Sequence, residues 1–180
     1  MDLVRRAAPY VSKREITTGR HWTGLFEILN EAKGYTHLLD LGYDDVGFIP
    51  PASCYTPDLR GTGSPGDALL EVKTVNISDQ DIQLFGTIQK ARHGLPEGLQ
   101  QKLASDFDKA CEQLHSIPAS DPVRRICYFC ITLDLRVVLS DANKAELHDS
   151  LMSLQDRDCE IQYVSQHWTG DRQSWSTREK

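Results

Sequence analysis

Three charged residues, Asp58, Glu71 and Lys73, have the types and spacing that metal-dependent phosphate chemistry requires. Glu71 and Lys73 lie in a run of apolar and β-branched residues, which is typical of a strand. Because residues i and i+2 of a strand share a face, these two side chains should project together. A buried carboxylate and ammonium are unfavourable unless something pairs with them, and a divalent cation is a natural partner.

Asp58 is separated from this run by a turn rich in glycine and proline, residues 61–66, which should bring it back beside the strand. Two carboxylates would then offer the oxygen ligands that Mg²⁺ (or Mn²⁺) prefers. Such an ion would activate water and polarise a phosphate, while Lys73 would orient the water, accept its proton or stabilise the transition state. The expected chemistry is phosphodiester hydrolysis.

A purely structural interpretation of the same residues stays open. In that alternative, Glu71 and Lys73 form an ion pair at a sheet edge, and Asp58 caps a turn after a proline. A second Glu-x-Lys pattern occurs at Glu31 and Lys33. It lies in a predicted helix, where residues i and i+2 point in different directions, so it is not expected to form a site.

Pro57-Asp58 followed by Glu71-Val72-Lys73 resembles the signature of the PD-(D/E)xK superfamily, which includes restriction endonucleases, junction resolvases and repair nucleases. The resemblance implies an enzyme that cleaves nucleic acid, with DNA as the expected partner, using Mg²⁺ or Mn²⁺. It assigns Asp58 and Glu71 as metal ligands, the carbonyl of Val72 as a third ligand and Lys73 as the catalytic lysine. Members that cut both strands are often two-fold dimers, so a homodimer is a further possibility.

Many members of that superfamily carry another acidic ligand on the first helix, and the candidates here are Glu27 and Glu31. The predicted buried stripe of this helix has four apolar residues at helical spacing, Trp22, Leu25, Phe26 and Leu29. Glu27 lies opposite that stripe and is therefore expected to face solvent. Either the helix packs differently or the site lacks this ligand.

The elements that must position these residues follow from hydrophobic periodicity. A helix is expected to begin at Thr18 and to end at Gly34, because glycine commonly terminates helices. The chain over residues 36–49 should be extended. The strand that contains Glu71 should cover residues 68–75.

The second half of the chain predicts two helices, over residues 97–115 and 140–156, and two strands, over residues 125–135 and 160–165. The last strand–helix–strand unit should be a right-handed crossover with parallel strands. The predicted class is α/β, a restriction endonuclease-like core with a central mixed β-sheet flanked by helices in the order α-β-β-β-α-β.

Length and composition favour one domain. We expect a basic flexible arm over residues 1–17, a single nuclease-like domain over 18–167 and a polar tail over 168–180. No apolar run is long enough to span a bilayer, so no membrane association is expected. Five cysteines at scattered spacing, without an export signal, favour a reducing compartment and a cytoplasmic location.

The net charge of −6 argues against a general nucleic-acid coat, which would be basic. It keeps open two alternatives to catalysis. One is an inactive binding module that retains the nuclease fold, and the other is an acidic partner of a basic protein.

Overall fold

The computed structural model describes residues 3–12, 21–50, 55–76, 95, 97–118, 122–133, 141–154 and 158–167; the predicted polar tail lies outside these ranges. The helices in this part of the chain are α1 (Leu3–Ser12), α2 (His21–Asp40), α3 (Leu99–Ser116) and α4 (Asp141–Met152). The strands are β1 (Tyr43–Phe48), β2 (Leu59–Gly63), β3 (Gly66–Asn76), β4 (Val123–Leu133) and β5 (Glu160–His167). None of these helices has the length and apolar character that crossing a bilayer requires.

The five strands form one mixed sheet whose spatial order follows the order of the chain. β1, β2 and β3 are antiparallel neighbours, whereas β3, β4 and β5 run parallel. The parallel neighbours are separated in the chain by α3 and α4, since parallel strands need a long crossover connection. The predicted α/β class, with a mixed sheet flanked by helices, is therefore confirmed.

Two apolar cores lie on opposite faces of the sheet. One packs against α3 and α4, and the other lies on the face that α2 covers. β3 contributes Leu69 and Val75 to the first core and Leu70 and Val72 to the second. This alternation follows from the period of two in a strand. The odd-numbered side chains of β3 therefore face α3.

Helix α2 continues through Gly34, where the sequence predicted that it would end, and reaches Asp40. The extended structure expected over residues 36–49 is therefore wrong for its first five residues. A Cβ atom at Gly34 would lie 2.9 Å from Cγ2 of Val72, so glycine allows the helix to approach the sheet closely. The helix ends before Gly42, whose φ of 91° is one that glycine adopts readily.

The buried face of α2 is not the predicted apolar stripe. Phe26 and Leu29 are 45% and 46% exposed. The buried residues of α2 are instead Ile28, Asn30, Gly34 and Leu38, and Glu31 is partly buried. The stripe was misleading because polar residues turn toward the sheet here: Asn30 donates a 2.9 Å hydrogen bond to Oγ1 of Thr74, and Glu31 is paired with Arg6.

The N-terminal segment was expected to be a flexible arm, but it contains α1, which packs against α2. Arg6 of α1 forms a bidentate ion pair with Glu31 of α2, in which Nη2 lies 2.6 Å from Oε1. The positive charge of Arg6, one of the basic residues of this segment, is therefore paired with an acid of the domain.

Candidate functional site

The candidate site lies where the hairpin of β2 and β3 opens. The antiparallel register pairs Leu59 with Leu70, and β2 begins at that pair. Continuing the register by one residue places Asp58 opposite Glu71, and opposed residues of an antiparallel pair share a face. The turn rich in glycine and proline thus brings the two acids together, as the sequence predicted.

Asp58 is held by backbone groups on two sides. Its Oδ2 accepts a 2.9 Å hydrogen bond from the amide of Val72, and its carbonyl accepts one of 2.9 Å from the amide of Ile49. Burial, followed by the nearby charge of Glu71, raises the pKa of Asp58 to about 8. The residue therefore terminates the hairpin and also presents a carboxyl group in an environment that disfavours its charge.

Glu71 and Lys73 point to the face covered by α3, as the period of the strand predicted. Nζ of Lys73 lies 2.8 Å from Oε1 of Glu71 and 2.5 Å from Oε1 of Gln113 in α3. The Glu71 and Lys73 side chains are only 4% and 16% exposed, so they are not a solvated surface pair. Gln113 also donates a 3.3 Å hydrogen bond to the carbonyl of Thr56. The lysine is therefore fixed between a strand and a helix.

Sequence reasoning did not single out Gln113. It lies on the predicted helix, but nothing in its local sequence distinguishes it from the other glutamines of α3. Its contact with Lys73 depends on how α3 packs on the sheet, and this is not encoded in any short motif.

The other carboxylate oxygen of Glu71, Oε2, is buried and has no hydrogen-bond partner among the described residues. Leaving such an atom unpaired is unfavourable. Burial raises the pKa of Glu71, and the charge of Lys73 opposes that shift. Glu71 and Asp58 are thus neighbouring acids whose carboxyl groups both disfavour ionisation. Such a pair is stabilised by sharing either a proton or a cation.

The site opens into a cleft of about 310 Å³ that α2 and α3 border from opposite faces of the sheet. α3 contributes Lys102 and Asp106, and α2 contributes Glu27 and Glu31. The remaining lining residues belong to the hairpin region and are Asp58, Glu71, Val72, Lys73 and Thr74. The residues that the resemblance assigns to metal binding and catalysis, Asp58, Glu71, Val72 and Lys73, therefore border one cleft.

Glu27 was expected to face solvent, and the structure places it at the solvent-exposed rim of the cleft. Its side chain is exposed, but it borders the cleft together with Glu31. Both acids project there because α2 is rotated relative to the predicted stripe. The second Glu-x-Lys pattern therefore also contributes a residue to the site, although Glu31 reaches it from a helix.

The donor set suits a hard divalent cation. Asp58 and Glu71 offer carboxylate oxygens, and Oε2 of Glu71 receives no hydrogen bond of good geometry in the described part of the chain, although Asp58 lies close enough to lower the pKa of Glu71. Within that part, no three His, Cys, Asp or Glu side chains are grouped to hold an ion. A site here would therefore be completed by backbone and water oxygens, and the carbonyl of Val72 remains the predicted backbone ligand.

No family model and no curated protein matches this chain. Its structure is similar to that of Pyrococcus furiosus SfsA in complex with Ca²⁺, with a TM-score of 0.34 and 13% sequence identity. The match covers 81% of this chain and 57% of that protein, so the chain spans little more than half of its length. A likeness this distant identifies neither a family nor a function.

Proposed function

We propose that this protein is a divalent-metal-dependent nuclease with a restriction endonuclease-like core, which hydrolyses phosphodiester bonds in DNA. The observation that supports this most directly is the buried oxygen of Glu71, which has no partner among the described residues and lies beside Asp58 and Lys73. The PD-(D/E)xK resemblance assigns these same residues to metal binding and catalysis. The order of elements from α2 to β4, a helix, three strands, a helix and a strand, also supports it.

In this proposal, Asp58, Glu71 and the carbonyl of Val72 hold Mg²⁺ or Mn²⁺. The bound ion supplies Lewis-acid activation of the attacking water and of the scissile phosphate. The hydrogen bond from the amide of Val72 orients Asp58 before any ligand enters. Such preorganisation of a binding group by backbone on a rigid element favours precise positioning.

Lys73 provides positive charge to the reacting phosphate. Its ammonium has three N–H donors, and Glu71 and Gln113 accept two of them. The third donor serves the substrate, where it stabilises the negative charge that develops on phosphate oxygens in the transition state. Because Gln113 and Glu71 hold the ammonium from two sides, its direction is set before the substrate binds.

The experiment that tests the proposal is cleavage of labelled DNA by the full chain in Mg²⁺, Mn²⁺ or EDTA. Either ion should support cleavage and EDTA should abolish it. Asp58→Asn, Glu71→Gln and Lys73→Met should each slow cleavage by about 100-fold or more, with an unchanged far-UV circular dichroism spectrum. Glu112→Gln, on the exposed side of α3, is the matched control for charge. Cleavage that persists in EDTA, or in all three variants, contradicts the proposal.

Calorimetry separates this proposal from the two alternatives without catalysis. An inactive binding module or an acidic partner of a basic protein should show no Mg²⁺ or Mn²⁺ binding at millimolar concentrations. Parallel assays with RNA test the preference for DNA, and sedimentation velocity tests whether the protein forms a homodimer.

A further inference from the structure

Glu31, an acid of the cleft, is already engaged by a cationic side chain of its own protein. Nη1 of Arg6 contacts Oε2 of Glu31, and Nη2 of Arg6 lies 2.6 Å from Oε1. The Arg6 and Glu31 side chains are 29% and 12% exposed. A bidentate guanidinium–carboxylate pair is among the stronger charge-assisted interactions, and partial exclusion of water strengthens it further.

The acids on the two sides of the cleft therefore differ in what they can offer a ligand. On the β3 side, Glu71 has a buried oxygen with no partner among the described residues. On the α2 side, both oxygens of Glu31 accept hydrogen bonds from Arg6. Arg6 occupies one lone pair on each oxygen of Glu31, and a divalent ion at the remaining lone pairs would be repelled by the positive charge of the guanidinium beside it.

From this contrast we infer that Arg6 is a positioning residue that keeps Glu31 out of ion coordination, so that the cleft takes one divalent cation, at Asp58 and Glu71. The inference rests on the proposed function, because it requires an ion in the cleft. It departs from what the PD-(D/E)xK resemblance implies, which is that an acid of the first helix is a ligand. Arg6, in the N-terminal helix α1, thus sets the number of ions that the cleft binds.

The test is calorimetric titration of the full chain with Mn²⁺ alone. The wild type should bind one ion, and Arg6→Gln should bind a second, weaker one because Glu31 is released. The double variant Arg6→Gln/Glu31→Gln has the net charge of the wild type and should again bind one ion, with an affinity within about threefold of wild type. Arg5→Gln removes the same charge from an exposed neighbouring position and should leave one ion.

The outcomes separate this inference from the proposed function. If Arg6→Gln binds a single ion, the inference is overturned but the proposed function is not. The same holds if the double variant loses affinity by about tenfold or more, because that loss would identify Glu31 as a ligand. No Mn²⁺ binding by the wild type overturns the proposed function and the inference with it. Because Arg6→Gln also weakens the docking of α1, Glu31→Gln alone is a second test. It should retain one ion, and loss of that ion overturns the inference.

Discussion

The amide of Val72 donates a 2.9 Å hydrogen bond to Oδ2 of Asp58, and this bond closes the hairpin of β2 and β3 at its open end. β2 begins at Leu59, one residue after Asp58, so Asp58 itself lies just outside the backbone pairing with β3. A side-chain oxygen thus provides the acceptor that a strand carbonyl would otherwise supply. The position of this carboxylate is set by the sheet and not by a flexible loop.

The raised pKa of Asp58, about 8, predicts that the metal-free protein loses stability as the pH rises. An ordinary aspartic acid has a pKa of about 3.9, so the folded state binds the proton more tightly than the unfolded state does. The resulting stabilisation is complete below about pH 4 and is lost as the pH rises through about 8. The midpoint of urea unfolding in EDTA should fall across this window, and Asp58→Asn should reduce the fall.

Asp45→Asn, at an exposed position of β1, removes the same charge and should follow the wild type. A wild-type midpoint that is constant or rises between these pH values would show that Asp58 is not destabilised as an anion. Added Mg²⁺ should oppose the loss at high pH, because a ligand that binds only the folded state stabilises it by mass action.

Gln113 is expected to contribute to catalysis by holding Lys73. Gln113→Leu removes the acceptor that lies 2.5 Å from Nζ of Lys73, so the ammonium loses its orientation. The kcat for DNA cleavage should fall by about 10- to 100-fold, with a smaller change in KM. Gln113→Glu retains an acceptor and should recover part of the activity, whereas Gln101→Leu, exposed on the same helix, should have no effect. Equal kcat values for Gln113→Leu and Gln101→Leu would exclude this role.

Lys102 is expected to contact a substrate phosphate. It borders the cleft, is 45% exposed and lies 2.9 Å from Asp106, whereas Lys109 approaches the same Asp106 at 4.0 Å without lining the cleft. In a Glu71→Gln background that prevents cleavage, Lys102→Gln should weaken DNA binding. It should also reduce the slope of log affinity against log salt by about 1.

Lys109→Gln is the matched control for that measurement, since it removes the same charge from the same helix. Fluorescence anisotropy at several salt concentrations should show little change for this variant. If both lysine variants reduce the slope equally, the effect is one of general charge and not of a contact in the cleft.

Gly34→Ala should destabilise the protein, although alanine usually stabilises a helix interior by about 0.5–1 kcal/mol relative to glycine. The added Cβ would lie 2.9 Å from Cγ2 of Val72 and 3.0 Å from Cδ1 of Leu59. Overpacking of this kind costs about 1–3 kcal/mol. The free energy of unfolding in urea checks the sign, and a more stable variant would show that α2 has room to move from the sheet.

The core of the site was predictable from local sequence, because it depends on local geometry. The period of two in a strand places Glu71 and Lys73 on one face wherever β3 lies. Turn-forming residues between two extended runs produce a hairpin, and its register brings Asp58 opposite Glu71.

Long-range packing decided the rotation of α2 and, with it, the remaining walls of the cleft. Hydrophobicity alone favours burial of Phe26 and Leu29, yet Glu31 faces inward. Two features remote from that stripe make the difference. Gly34 has no side chain to hold the helix away from the sheet, and Arg6 compensates the charge of Glu31 from another helix. The free energy of burying an acid depends on its partner, and that partner becomes apparent only when the chain is folded.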